Sequence, residues 1–464
     1  MIRLDIAAIA AAVDGALHDV PDAAAVVGGP VVVDSREVVE GALFVAVKGE
    51  RTDGHAYAAA AAEAGAVLVL AARPVGVPAV VVDDPVAAMG RLARAVLDRL
   101  GDVTVIGVTG SSGKTSTKDL LAQVLETAGS TVAPKESFNN EIGVPLTVLA
   151  ADDTTRHLVV EMGARGAGHI AQLCRIAPPR ISVVLNIGSA HAGEFGDRAA
   201  TAAAKREIVT ALPGDGVAVL NADDPLVLAM AAAAPGRVVT FGTAPDADVR
   251  AESVVLDPAG RAAFDLVTAT GRARVQLLLV GAHQVSNALA TAAVAGVLRV
   301  PVDSVAAALS SAGPRSRWRM EVTERSDGVT VVNDAYNANP ESVAAALHAL
   351  ASIAAGRRSW AVLGEMLELG AASDEEHEAV GRLAVRLGVD RVVAVGDGAR
   401  GVFRAARDAV GASVGEEPVL VADGATALDL LRAELRSGDV VLVKASRRAG
   451  LERVAQGLTE EVPA

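Results

Sequence analysis

One glycine-rich segment carries the strongest chemical signal in the sequence. Residues 103–117 read as an apolar run, a tight turn and a helix start. That order aims backbone N–H groups and the positive end of the helix dipole at phosphate. A lysine there neutralises the terminal phosphates, and the hydroxyl that follows it reaches Mg²⁺. The residues that we expect to bind ATP are Gly110, Ser111, Ser112, Gly113, Lys114, Thr115 and Ser116.

The spacing of the glycines separates this loop from related phosphate sites. Val108 stands where the GxxxxGK[ST] pattern has its first glycine, so that pattern is only partly met. Glycines at 107, 110 and 113 do not fit the GxGxxG fingerprint of dinucleotide-binding enzymes. No NKxD-type base reader follows the loop, which disfavours a guanine nucleotide. An ordinary strand-to-helix turn is the structural alternative, and Lys114-Thr115 at the junction favours ATP.

Two polar residues follow other buried runs. Glu161 comes directly after residues 158–160, and His191 follows the run 181–187. Because the carboxyl ends of parallel strands meet at one edge of a sheet, both are expected near the phosphate loop. Glu161 could hold Mg²⁺, and His191 could hold a second ion, although Mg²⁺ prefers oxygen ligands. A surface glutamate and a hydrogen-bonded loop histidine are the structural alternatives.

Further polar candidates lie in loops. Asn139 and Asn140 precede a glycine and a proline, where their amides could bind phosphate or a polar group of a substrate, or could simply form a turn. Asp334 and Asn337 follow a predicted strand and could bind a ribose or a base. Arginines at 315, 317 and 319 follow a break at Gly313-Pro314 and suit phosphate, or form a solvated linker.

The elements that must position these residues predict an α/β protein of three domains. Residues 1–84 suggest a small α/β module, residues 85–313 a parallel-sheet domain, and residues 314–464 a smaller doubly wound domain. A net charge of -14 and 2% aromatic residues disfavour binding to nucleic acid. The single cysteine, Cys174, indicates a reducing compartment, with the cytoplasm as the default. Charged residues interrupt every apolar run, so we expect no membrane insertion.

Six segments together resemble the Mur ligase family. They are Thr109–Thr115, Asn139–Pro145, Glu161–Gly163, Asn186–His191, Asn333–Ser342 and Val362–Gly370. The resemblance runs nearly end to end. It implies an N-terminal domain for a UDP-sugar peptide, a central ATPase domain and a Rossmann-like C-terminal domain that closes over the nucleotide. It also implies that a substrate carboxylate takes the γ-phosphoryl group of ATP and that an amine then attacks the acyl phosphate.

Residue roles follow from the same resemblance. Lys205 occupies the position of a family lysine that becomes carbamylated and would then bind Mg²⁺, although the pattern alone reads as a solvated helix residue. Asn287 is placed near the nucleotide, with Gln284 where the family usually has asparagine, and Arg319 matches a phosphate-contacting arginine. Ser35 and Arg36 would contact uridine or diphosphate, or would form a structural turn.

Three residues near the C-terminus are left without a predicted role. Lys444, Ser446 and Arg447 resemble a KGSR loop of the family, with Ala445 replacing its glycine. That replacement could alter the turn, so no role is assigned to these three residues from the sequence.

Segments 333–342 and 362–370 resemble the family type that joins D-alanyl-D-alanine to UDP-N-acetylmuramoyl-tripeptide. They disfavour a tripeptide-forming relative and a folate polyglutamylating one. A non-catalytic ATP-binding regulator of the same fold is the alternative from another class, and the presence of Lys114, Thr115, Glu161, His191 and Lys205 argues against it. We expect a monomer with two Mg²⁺ ions.

Overall fold

The structure is a computed structural model that describes residues 1–49, 52–188, 197–410 and 416–460. Its helices are Ile6–Val13 (α1), Ala58–Glu63 (α2), Pro85–Leu100 (α3), Lys114–Glu126 (α4), Gly143–Leu149 (α5), His169–Ile176 (α6), Arg198–Thr210 (α7), Pro225–Leu228 (α8), Gln284–Val297 (α9), Val302–Ser311 (α10), Pro340–Ala354 (α11), Ser373–Arg386 (α12), Arg400–Val410 (α13), Gly424–Glu434 (α14) and Glu452–Thr459 (α15). His191 lies outside the described residues.

The N-terminal segment forms a five-stranded sheet and a separate antiparallel pair of strands, and it packs against the central segment. Its strands are Leu4–Asp5 (β1), Ala16–His18 (β2), Val26–Val27 (β3), Val31–Val32 (β4), Ala42–Val45 (β5), Ala66–Ala71 (β6) and Ala79–Val81 (β7). The order in the sheet is β2-β7-β6-β5-β4, and the separate pair is β1 with β3. Strands β4 to β7 run parallel, and β2 pairs antiparallel with β7. Asp84 caps α3, which packs against α1 and α5, so the two segments share one apolar core. The domain boundary at residue 84 stays a prediction.

A nine-stranded sheet occupies the centre of the described chain. Its strands are Thr104–Thr109 (β8), Thr131–Val132 (β9), His157–Glu161 (β10), Ile181–Val184 (β11), Val217–Asn221 (β12), Arg237–Gly242 (β13), Val249–Leu256 (β14), Arg261–Thr268 (β15) and Gly271–Val280 (β16). The order is β16-β15-β14-β13-β12-β11-β8-β10-β9. Strand β8 therefore lies between β10 and β11, and all three point their carboxyl ends the same way.

One part of the central sheet was not predicted. Strand β14 runs parallel to β13, but β15 and β16 continue as an antiparallel meander at the edge. The prediction of a parallel-sheet domain over residues 85–313 is therefore wrong for these two strands. The meander has a half-exposed face, as expected for antiparallel strands, and burial alternates along residues 261–268. In the sequence, the apolar residues Phe264 and Leu266 on either side of Asp265 are the period-two signal that could have indicated such a strand.

The C-terminal segment is a doubly wound sheet, as predicted. Its strands are Glu321–Glu324 (β17), Thr330–Asn333 (β18), Ser359–Leu363 (β19), Arg391–Val395 (β20), Val419–Val421 (β21) and Val440–Lys444 (β22). The order is β17-β18-β22-β19-β20-β21, with only β17 antiparallel. Separate apolar clusters cover its two faces. Chain order reverses beside β22, so the loops after β18, β19 and β22 meet at the point where such sheets bind ligands.

Trp360 tests the packing of this sheet. Its side chain is fully buried, its indole N–H donates to Asp439 at 2.9 Å, and the Arg358 guanidinium lies 4.4 Å from its ring centre. We expect Trp360→Phe to destabilise the protein by about 1–3 kcal/mol through lost packing contacts and one lost buried hydrogen bond. Thermal unfolding of the full chain should show a transition several degrees lower, whereas Val322→Thr, on the exposed strand β17, should leave it unchanged. An unaltered transition in Trp360→Phe would contradict this account.

Candidate active site

The phosphate loop is held in shape by the neighbouring strand. Asn186, just beyond β11, accepts from the Ser111 backbone N–H through its carbonyl at 3.1 Å, and from the Ser112 N–H through its side chain at 2.9 Å. The Ser111 hydroxyl accepts from the Gly188 N–H at 2.9 Å. Since β8 and β11 are adjacent, the loop is fixed by the same sheet that carries it. Asn186 begins one of the six segments that resemble the Mur ligase family, but it was not predicted as a site residue.

Gly113 occupies a position that only glycine fits well. Its φ is +78°, and a Cβ added there would lie 2.5 Å from the Asn287 side-chain oxygen. Asn287 is buried and fixed by hydrogen bonds from Thr117 at 3.2 Å and to Gln284 at 2.8 Å. The glutamine that departs from the family pattern therefore orients Asn287. Asn287 supports the loop from behind, and its contact with a nucleotide stays a prediction.

A buried carboxylate faces the first turn of α4. Glu161, at the end of β10, is fully buried and accepts hydrogen bonds from Thr115 at 3.1 Å, Ser137 at 2.9 Å and Asn139 at 2.8 Å. The oxygens of Glu161 and Thr115 are thus adjacent, which is the donor chemistry that suits Mg²⁺. Ser137 was missed because nothing in its local sequence distinguishes it from a loop serine.

Metal binding here would depend on ligands beyond the protein carboxylates. Within the described ranges, no group of three or more His, Cys, Asp or Glu side chains is arranged to hold a metal ion. Mg²⁺ commonly keeps only one or two protein ligands and takes the rest from phosphate and water. Glu161 and Thr115 therefore fit such an ion beside a bound triphosphate.

Cations from two domains lie beside the Glu161–Thr115 pair. The Lys114 ammonium donates to the Gly110 carbonyl at 2.7 Å, and the Arg319 guanidinium donates to the Thr115 hydroxyl at 3.1 Å. Arg319 also stacks over the Tyr336 ring at 4.2 Å, and its Nε is buried without a hydrogen-bond partner in the described chain. A buried, unsatisfied donor on the wall of a cleft fits a phosphate contact.

Burial changes the ionisation of the two lysines. It lowers the pKa of Lys114, an effect that Glu161 opposes and Arg319 reinforces. Burial, with a smaller contribution from the Lys114 charge, lowers the pKa of Lys205 to about 7. Lys205 is only 2% exposed on α7, so the interpretation of it as a solvated helix residue is wrong. A large fraction of its amine is neutral near pH 7.

The C-terminal domain closes directly over the loop. The Asn339 side chain donates to the Ser111 carbonyl at 3.3 Å while also capping α11. Together the two domains enclose a cleft of about 850 Å³. Its lining includes, among the predicted residues, Ser111, Ser112, Gly113, Lys114, Thr115, Ser116, Asn139, Asn140, Glu161, Arg319 and Asn337. The predicted phosphate loop and the loop after β18 are thus brought together.

Asp334 lies behind that lining. Its carboxylate forms a buried ion pair with Lys444 at 2.5 Å and accepts from the Met320 backbone N–H at 3.1 Å. Lys444 also donates to the Asn337 carbonyl at 3.0 Å. The pair therefore fixes both ends of the loop that carries Asn337, and a direct contact of Asp334 with ribose or base stays a prediction.

Ser446 and Arg447 brace the same region. The Ser446 hydroxyl accepts from the Leu367 N–H at 2.9 Å, and Arg447 stacks on Trp318 at 4.5 Å while pairing with Glu452 at 2.7 Å. Ser446 and Arg447 also line the cleft. Lys444, at the end of β22, and these two residues therefore connect the loops that surround the cleft.

Ser35 and Arg36 lie away from this cleft, in a short 3₁₀ helix from Ser35 to Glu37. Arg36 is largely exposed and pairs with Asp34, whose pKa this contact lowers to about 2. Asn140, in contrast, accepts from the Gly143 N–H at 2.9 Å at the start of α5, so it has a structural role in addition to lining the cleft. Arg315 pairs with Glu126, and Arg317 is exposed.

Fold and site together define an enzyme that binds ATP at a glycine-rich loop and closes a second α/β domain over it. Family models match three stretches of the chain: "Mur ligase family, catalytic domain" at residues 30–97, "Mur ligase middle domain" at 108–295 and "Mur ligase, glutamate ligase domain" at 318–447. The chain belongs to the Mur ligase family, and it is an ATP-dependent ligase.

Individual relatives resemble the chain over its full length. The UDP-N-acetylmuramoyl-tripeptide--D-alanyl-D-alanine ligase of Mycobacterium tuberculosis is 50% identical, over 99% of this chain and 98% of its own. A crystal structure of MurF from Acinetobacter baumannii superposes with a TM-score of 0.87 at 29% identity, covering 99% of both chains. MurF from Thermotoga maritima in complex with ADP gives 0.79 at 32% identity, over 93% of this chain and 97% of that one. The three-domain fold predicted from the sequence is confirmed.

One further observation concerns the helices. None of the helices in its described parts combines the length and apolar character that crossing a bilayer requires.

Gly113→Ala should weaken nucleotide binding. A side chain there is strained at positive φ and collides with the fixed Asn287 amide, so the loop must shift. We expect the Kd for an ATP analogue with Mg²⁺, measured by calorimetry, to rise at least about tenfold, or about 1.4 kcal/mol. Gly101→Ala is the matched control, since Gly101 also has positive φ but open space around it. Equal effects of the two substitutions on Kd would show that loop geometry is not the cause.

Proposed function

We propose that the chain joins D-alanyl-D-alanine to UDP-N-acetylmuramoyl-tripeptide and releases ADP and phosphate. The observation that carries the chemistry is the fully buried Glu161–Thr115 pair with Lys114 beside it and Arg319 reaching it from the closing domain. The substrates are suggested by the 50% identity to a ligase of that name and by the segments at 333–342 and 362–370.

The charge arrangement matches what such a ligation needs. A carboxylate is a poor electrophile because oxide is its leaving group. In the proposed reaction a carboxylate oxygen of the tripeptide bonds to the γ-phosphorus of ATP as the bond to ADP breaks. The amine of the dipeptide then attacks the acyl carbon, loses a proton, and phosphate leaves. Lys114 and Arg319 offset the negative charge of the carboxylate and triphosphate held together, a preorganised electrostatic role.

Magnesium is part of this proposal. Glu161 and Thr115 would hold one Mg²⁺, which supplies positive charge to the phosphate oxygens when bound. A second ion, with His191 and a modified Lys205 as ligands, is carried over from the family resemblance. Ser35 and Arg36 in the N-terminal domain, with Asn139 and Asn140 at the cleft, are the proposed contacts of the UDP-sugar peptide. Asp334, Asn337 and Asn287 are proposed to bind or position the nucleotide.

Lys205 is proposed to act as a carbamate. Only a neutral amine attacks CO₂, and this step forms an N–C bond and releases a proton. A lysine with a pKa of about 7 provides that amine near neutral pH, whereas an ordinary lysine is almost wholly protonated. The product replaces a cation beside Lys114 with an anion, which removes the like-charge repulsion between the two side chains. It also offers oxygen ligands, which Mg²⁺ prefers.

Lys205→Ala tests this role. We expect kcat to fall about 100-fold or more, by analogy with losing one electrostatic group at a reacting centre, and acetate to restore part of it. With ¹³C-bicarbonate, the wild type should show a carbamate signal that weakens as the pH falls below 7, because Lys205 becomes protonated. Arg206→Ala, at the exposed neighbouring position, is the control. Absence of both the signal and the acetate recovery would remove the carbamate from the mechanism.

The substrate assignment is tested by phosphate release. Release should require ATP, UDP-N-acetylmuramoyl-tripeptide and D-alanyl-D-alanine together. Lys114→Ala should lower kcat by at least about two orders of magnitude, roughly 3 kcal/mol. Turnover with a UDP-muramoyl dipeptide plus a diamino acid would instead indicate the tripeptide-forming type, and turnover with glutamate plus folate the polyglutamylating type. No turnover with any pair of substrates would favour a non-catalytic ATP-binding regulator.

We further propose that the enzyme works as a monomer in the cytoplasm.

A further inference from the structure

The helix that begins at the phosphate loop also holds the linker between the central and C-terminal domains. Gln123, on α4, exchanges two hydrogen bonds with the Gly313 backbone: its amide donates to the carbonyl at 2.9 Å, and its oxygen accepts from the N–H at 3.1 Å. One turn earlier, the Asp119 carboxylate accepts from the Ser316 N–H at 3.0 Å. The linker therefore lies along α4 in a fixed register.

A buried ion pair stabilises this contact. Lys118 and Asp119 are 3% and 7% exposed, and their charged groups are 2.6 Å apart. Lys118 also donates to the Pro134 carbonyl at 2.8 Å and to the Ser316 hydroxyl at 3.2 Å. Burying two charges is costly unless each is paired and hydrogen-bonded, and here both are. Neither residue lines the cleft, and the proposed chemistry uses neither of them.

Arg319 lies three residues beyond Ser316, and its guanidinium donates to the Thr115 hydroxyl. The two residues flanking Arg319 have left-handed backbones: Trp318 at φ +58° and Met320 at φ +52°. Such conformations are unfavourable for non-glycine residues and persist only where the surroundings fix them. On the far side Asp334 binds the Met320 N–H. On the near side the fixed point is the contact of Ser316 with Lys118 and Asp119.

We propose that Lys118, Asp119 and Gln123 are positioning residues that act through Arg319. They set the register of the linker on α4, so that Arg319 reaches Thr115 on the first turn of the same helix. Because one helix carries both the phosphate-binding end and the linker contact, closure of the C-terminal domain and occupation of the loop are coupled, and such coupling is reciprocal. This inference rests on the proposed role of Arg319 at the phosphates.

A double-mutant cycle between positions 119 and 319 tests the proposal. Asp119→Asn keeps the shape and an acceptor for Ser316 but removes the charge that pairs with Lys118. We expect it to weaken the binding of an ATP analogue with Mg²⁺ about tenfold and to lower kcat similarly. In an Arg319→Lys background, Asp119→Asn should add less than about twofold, because contacts that act as one unit are not additive. Effects that multiply in full would overturn the inference.

Gln123→Ala provides a second variant that leaves no buried charge unpaired, in case Asp119→Asn folds poorly. It should show the same loss and the same non-additivity with Arg319→Lys. Glu126→Gln is the matched control on the same helix: it breaks only the exposed pair with Arg315, so binding should change less than about twofold. Analogue binding does not depend on the acceptor substrate. A wild type that binds the analogue but does not ligate D-alanyl-D-alanine would therefore contradict the proposed function and leave the cycle interpretable.

Discussion

Negative charge that must be gathered in one place is the constraint on which this structure depends. A triphosphate and a substrate carboxylate repel each other, and the site adds a third anion, the fully buried Glu161. The protein brings Lys114 from the phosphate loop and Arg319 from the other domain beside Glu161 and its hydrogen-bond partner Thr115. Because Arg319 belongs to the C-terminal segment, full charge compensation at the loop needs the two domains to lie together as they do in this structure.

The buried lysines meet the cost of desolvation in two different ways. Lys444 is paired with Asp334 and donates to the Asn337 carbonyl, so its charge fixes the loop that carries Asn337. Lys118 is paired with Asp119 and fixes the linker. Burial lowers the pKa of Lys114 and Lys205, as it does that of Lys444, but within the described residues neither forms an ion pair with a carboxylate. Buried ionisable groups with shifted pKa values and no ion-pair partner are candidates for chemistry, whereas buried ion pairs such as Lys444–Asp334 are more often structural.

The sequence predicted those parts of the site that depend on local geometry. The turn from Gly110 to Lys114 and the position of Glu161 at a strand end follow from chain order in a parallel sheet, and both are found as expected. Ser137, Asn186 and the burial of Lys205 could not be predicted, because each depends on a residue far away in the chain that the fold brings close. The antiparallel strands β15 and β16 were missed for a different reason: apolar runs in an alternating α/β context were all read as parallel.

Close contacts at one helix terminus bring the two domains together. Gly188 lies against the Glu341 side chain at the start of α11: a Cβ on Gly188 would lie 2.6 Å from the Glu341 carboxyl carbon, so a larger residue would have to displace that carboxylate. On the same helix terminus, the Asn339 side chain both caps α11 and donates to the Ser111 carbonyl. Asn339, the N-cap of α11, is therefore also the residue that contacts the phosphate loop. The C-terminal domain thus contacts the central domain through the N-terminus of α11 on one side and along α4 on the other. The position of Arg319 between them is set by backbone contacts on both sides of it, at Ser316 and Met320.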